Sequence, residues 1–141
     1  MRGPALLVAI LLSLTACGAG DTSAIIERQL QSGGIVDLDA GVPGPWERVC
    51  ILGPYSDNRA AAHALGFPWP VDDRSNIAES DAISLLLFVR GNEVLTAVEH
   101  PRSNGDFANL SGRCFPRAHA RFSRQTPSGN GWPTLVPQAG P

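Results

Sequence analysis

Residues 83–100 read ISLLLFVRGNEVLTAVEH, and how this stretch is taken decides the fold. Two runs rich in branched and aromatic residues flank Gly91-Asn92. Glycine in the first turn position suits a type II′ turn, whose twist matches right-handed strands. The stretch therefore predicts a β-hairpin. Side chains alternate across a strand, so Ile83, Leu85, Leu87 and Val89 share one face while Leu86 and Phe88 share the other. Apolar residues on both faces describe a central strand covered on both sides.

Upstream, WERVCILGPY (46–55) has the same character, with Val49 and Ile51 on one face and Cys50 and Leu52 on the other. Gly53-Pro54 ends it. In SDNRAAAHALGF (56–67), Ser56 or Asp57 can cap a helix by accepting from its free amides. Ala60, Ala61, Ala64 and Leu65 form its small apolar stripe, and Gly66 is the expected residue just past its end. PWPVDDRSNIAESD is a proline loop with a helical turn near Asn76–Asp81. Downstream, Pro101 stops the hairpin, RSNGDFANLSGR is a loop around Asn104-Gly105, and CFPRAHARF reads as a last strand. Pro116 places that strand at an edge, or starts it after the proline.

The expected fold class is α+β: a small antiparallel sheet, order β-α-β-β-β along the chain, with one helix packed on a face. The folded domain is expected over 46–124. Residues 17–45 carry Gly33-Gly34 and GVPGP around AIIERQL. That apolar piece is too short to be a stable helix alone, so the whole stretch reads as a flexible tether. Residues 125–141, rich in proline and glycine, read as a disordered tail.

The N-terminus answers where such a domain belongs. Arg2 precedes an apolar run, Ala5–Ala16, which is shorter than the roughly 20 residues a spanning helix needs. A cationic start, a short apolar core and small residues at the end describe a signal peptide over 1–16. Its close, Leu14-Thr15-Ala16-Cys17, resembles the lipobox of bacterial lipoproteins. The resemblance implies cleavage before Cys17, a diacylglycerol on its thiol, and in many members an acyl chain on its amine; no other cofactor is implied. Gly18, where the family's inner-membrane retention signal would be aspartate, favours the outer membrane facing the periplasm. WERVCILGPY and GRCFPRAHARF resemble the cysteine-containing blocks of small uncharacterised bacterial lipoproteins, a likeness that implies no activity. With Cys17 lipidated, Cys50 and Cys114 remain, in a compartment that permits disulfides. Bridging them closes a loop worth about 4 kcal/mol of chain entropy.

Charge is divided along the chain. Asp21–Glu99 holds 12 acids against 5 arginines, whereas 5 arginines face Asp106 alone from His100 onward. The net charge of −2 and the exported address exclude nucleic acid as an expected partner. There is no lysine, no Gly-x-Ser-x-Gly and no phosphate-loop pattern.

The remaining candidates each have a plain structural reading beside the functional one. EHPRSNGD gathers Glu99, His100, Arg102 and Asp106, as an acid–base or metal group or simply as turn residues. His63 on the alanine-rich helix and Asp72-Asp73 in the proline loop read as solvated side chains. A strand from Arg117 would place Arg117, His119 and Arg121 on one face. That basic face is the expected binding surface for an anionic envelope polymer, headgroups or an envelope protein, unless its charges pair internally or guard an edge. The expected function is a lipid-anchored envelope protein of non-catalytic binding or scaffolding type. Docking of an edge strand on an envelope enzyme is the alternative, and a small hydrolase or metal-dependent enzyme built on His100 is the third.

Overall fold

The computed structural model describes residues 19–125 and 131–139. Cys17 and the expected signal peptide lie outside them, as do 126–130 within the expected tail. Among the described residues the elements run α1 (Ala19–Gly33), β1 (Ile35–Asp37), α2 (Leu38–Gly41), β2 (Arg48–Leu52), α3 (Asn58–Leu65), β3 (Ile83–Arg90), β4 (Glu93–Pro101), β5 (Cys114–Pro116), β6 (Arg121–Arg124) and β7 (Leu135–Pro137).

The hairpin is β3–β4. Its turn places Gly91 at φ 55°, a conformation that a side chain would resist. Pairing runs in register from Ile83–Pro101 to Phe88–Thr96, then slips to Val89–Val94, so Leu95 is the extra residue of a bulge. β2 pairs antiparallel with β3 on its other side and β5 with β2, giving the sheet order β4-β3-β2-β5. With α3 between β2 and β3, these elements are the expected β-α-β-β-β unit, and the fold is α+β.

Alternation in β3 sorts its side chains into two cores. Leu85, Leu87 and Val89 join Cys50, Leu52, Ala61, Leu65, Val71 and Ile77 beneath α3. Leu86 and Phe88 join Val49, Ile51 and Val98 on the opposite face. α3 has the expected ends: the Asp57 carboxylate accepts from the Ala60 amide at 2.9 Å, and Gly66 closes the helix in the left-handed region at φ 83°. Cys50 and Cys114 are directly opposed residues of β2 and β5 and form a disulfide.

What covers the second core departs from expectation. It is α1 together with a second antiparallel sheet, β1-β6-β7. Residues 19–41, expected to be tether, are helix, strand and helix. Thr22, Ile26 and Leu30 recur every four residues on the buried face of α1, and β4 supplies the surface they need. Tertiary burial stabilises a helix that local propensity alone would leave marginal. Gly34, expected as linker, ends that helix at φ 69° with its amide on the Leu30 carbonyl. The domain therefore starts ahead of Trp46, and it extends past residue 124 through β7, where the expectation was a disordered tail.

Candidate functional site

The segment Glu99–Asp106 ends β4 and turns beneath the α1 side of the sheet. Glu99 points outward and is exposed; His100 points inward and is fully buried. The Ser23 hydroxyl of α1 lies 2.7 Å from His100 Nδ1. The ring packs edge-on against Phe107 at 5.8 Å. Burial lowers the imidazole pKa from 6.5 to about 4, against the opposing pull of the nearby Asn104 and Gly105 backbone, so the ring is neutral at pH 7. A serine–histidine contact of this length is what an activated nucleophile requires. Here the ring is sealed from solvent, and its Nε2 faces the Gly105 backbone. Nε2 and the hydroxyl of Ser84, its cross-strand neighbour, are both buried and lack a hydrogen-bond partner among the described residues.

Arg102 and Asp106 hold the turn. The guanidinium donates through Nε and Nη2 to the two carboxylate oxygens at 2.9 and 3.1 Å, and through Nη1 to the Asp81 carbonyl at 2.7 Å. The hydrogen bond to Asp106 raises the arginine pKa further. The same guanidinium lies 4.6 Å from the Trp132 ring centre. This charge pair is part of the scaffold. Among the described residues, no group of three or more His, Cys, Asp or Glu could hold a metal.

The expected basic face does not form. Arg117–His119 is a 3-10 turn because Pro116 ends β5 one residue earlier, so alternation cannot be counted from Arg117. Arg117 turns back onto the body, donating to Asp39 at 2.6 Å and to the Gly44 carbonyl at 2.6 Å, with its guanidinium 4.5 Å from the Trp46 ring. Arg121, on β6, pairs with Asp37 at 3.3 Å and donates to the Gln138 side chain at 3.0 Å. His119 is exposed between them, Ala118 is exposed rather than buried, and Ala120 and Phe122 enter the core. The late arginines thus neutralise acids from the early part of the chain, which accounts for part of the charge division.

Two hollows flank α3. One, of about 280 Å³, is lined by Asn58, Ala62, Pro68, Trp69 and Pro70. The other, of about 410 Å³, lies among Asp57, Asp72, Ser75, Asn76, Ala78 and Glu79. His63 is exposed on α3, as are Asp72 and Asp73 in their turn. At the start of α3 the Ala60 amide is taken by the Asp57 carboxylate.

Tyr55 was not singled out by sequence reasoning. Among the described residues it is the one non-glycine residue at positive φ (63°) and the one large hydrophobic side chain well exposed, at 63%. It follows Pro54 in a turn position that ordinarily takes glycine or asparagine. The turn is held by the Ser56 hydroxyl donating to the Gly53 carbonyl at 2.7 Å and the Tyr55 amide donating to Ile77 at 2.8 Å. A Pro-Tyr pair at the end of a strand was the available signal. The partnership of Ser23 with His100, 77 residues apart, had none.

The chain matches no protein-family model, no curated protein and no solved structure.

Proposed function

We propose that this chain is a lipid-anchored protein of the bacterial cell envelope that binds or scaffolds rather than catalyses. Leu14-Thr15-Ala16-Cys17, closing an apolar run that starts beside Arg2, carries the proposal. The Cys50–Cys114 disulfide supports it, since such bonds persist in exported proteins and are rare in the cytosol. The burial of His100 favours binding over hydrolysis, because the side chain on which the hydrolase reading rests cannot reach a substrate from its closed position.

Docking by an open sheet edge is the second reading. β4 offers nine residues at the rim of the four-stranded sheet, with partners on one side only. Its exposed Glu93 and Glu99 and the bulge at Leu95 are features that oppose indiscriminate strand addition.

The anchor is tested by growing cells on an alkyne-bearing fatty acid. The native chain should carry the label and sediment with membranes, and Cys17→Ser should lose both. Label retained in Cys17→Ser, or a native chain wholly in the soluble fraction, would end the lipoprotein reading. Crosslinking in intact envelopes then separates the two docking modes. Charge reversal at Glu93 and Glu99 should change capture if β4 is the docking edge and leave it unchanged if another surface is used.

A further inference from the structure

The two hollows beside α3 are neighbours. Asn58 opens α3 and lines the first; Asp57, one residue earlier, lines the second. One ridge parts them, where the Asp72 amide donates to Asn58 Oδ1 at 3.0 Å. Asp72 also lines the second hollow, two residues after Pro70 of the first. The same short stretches of chain therefore wall both.

Their linings differ in kind. Ala62, Pro68, Trp69 and Pro70 make the first apolar. The indole packs against the core beneath α3 and is half-buried, while both prolines are exposed. The carboxylates of Asp57, Asp72 and Glu79 stand around the second hollow, on exposed residues. Among the described residues none of the three is ion-paired: the arginines that pair do so with Asp37, Asp39, Glu93 and Asp106. Residues 57–79 hold four acids against two arginines, Arg59 and Arg74, and neither of these is in an ion pair among the described residues. The late arginines that neutralise Asp37 and Asp39 leave this face acidic.

The walls are built from within. Val71 and Ile77 are fully buried beneath the loop. The Ile77 amide donates to the Ser75 hydroxyl at 3.1 Å, and its carbonyl accepts from the Tyr55 amide at 2.8 Å. A surface already in shape loses little freedom when a partner arrives.

We propose that this face docks an extended segment of another polypeptide, one that carries an apolar side chain and, two residues away, an arginine or lysine. Alternate side chains of an extended segment share a face, so two hollows parted by one ridge take residues i and i+2. The apolar side chain covers Trp69, and the cation meets Asp72 and Glu79. The same carboxylates repel an acidic segment, so charge selects the partner. The proposal deepens the binding reading of the chain and is independent of its anchor.

Random heptapeptides displayed on phage would be selected on the full chain carrying Cys17→Ser, so that failure concerns this face and leaves the fatty-acid test of Cys17 untouched. Selected sequences should hold arginine or lysine two residues from an apolar residue. A synthetic peptide of the most enriched sequence, followed by fluorescence polarisation, should bind the Asp72→Asn, Glu79→Gln double variant roughly three- to tenfold more weakly, the worth of two exposed charge pairs. Ala62→Leu, which fills the apolar hollow from the helix side and keeps Trp69, should weaken it at least as much. Gln31→Ala, on α1 across the sheet, should leave it unchanged. Circular dichroism would establish that each variant is folded. Enrichment of acidic or wholly apolar sequences, no enrichment at all, or a peptide that binds every variant alike would each overturn the proposal.

Discussion

Burial of His100 makes an acid response calculable. In the folded chain its pKa falls from 6.5 to about 4, chiefly by loss of hydration. In the unfolded chain it takes the ordinary value, near 6.5. Between those values the unfolded state binds the extra proton, so stability falls as pH falls. The full contribution is present above pH 6.5, and the loss is complete below pH 4. A shift from 6.5 to about 4 corresponds to about 3 kcal/mol of stability. Arg102, Asp106 and Glu27 lie around the same turn, so the measurement must isolate the imidazole. Urea unfolding followed by tryptophan fluorescence at pH 7, 6, 5 and 4 would be run on the native chain and on His100→Gln. The variant loses a fixed amount at every pH because Ser23 and Phe107 lose their partner. The native chain's advantage over it should then shrink by about 3 kcal/mol from pH 7 to pH 4. An advantage constant across that range would refute the reasoning, for it would mean that His100 titrates alike in both states. An NMR titration assigned to the His100 ring with a midpoint near 6.5 would refute it independently.

Three further outcomes follow from local geometry. Tyr55→Gly should raise stability by about 1 kcal/mol in urea unfolding, because left-handed backbone costs a non-glycine residue about that much or more; any accompanying loss of envelope crosslinking would show that the exposed ring serves binding. Gly105→Ala should destabilise by about 1–3 kcal/mol, since φ is 139° and the new methyl meets His100 Nε2 at 3.2 Å. Reduction of Cys50–Cys114 should cost about 4 kcal/mol in calorimetry, from a loop that separates its ends by 64 residues.

The parts of this fold legible in the sequence are those where local chemistry and tertiary burial agree. Alternation in 83–89 already names both cores, and Asp57 and Gly66 bracket α3 as capping requires. The parts that were not legible depend on distant surfaces. α1 carries Thr22, Ile26 and Leu30 as a thin stripe that becomes decisive only against β4. Gly33-Gly34 has the composition of a linker and the role of a helix stop. WPTLVP resembles loop because of its two prolines, of which Pro133 precedes the strand and Pro137 ends β7, an edge strand where a missing donor is tolerated. At the candidate site EHPRSNGD admits both an acid–base or metal group and plain turn residues, and the sequence does not show which side chains are buried. One buried histidine and one bidentate ion pair support the turn from within. The basic face dissolved for a related reason: Pro116 resets the count, and Asp37 and Asp39, from the supposed tether, return to meet Arg121 and Arg117.

That return also bears on the reach of the chain under the proposed lipid anchor. α1 begins at Ala19, and two peptide steps back to Cys17 extend no more than about 7 Å. A flexible 17–45 stretch would have supplied roughly 30 Å of root-mean-square slack. With residues 19–41 taken up in helix and strand, an acylated Cys17, as proposed, would hold the domain close to the headgroups. On the proposed anchor, whatever the chain engages would have to come down to the membrane surface, or already lie there.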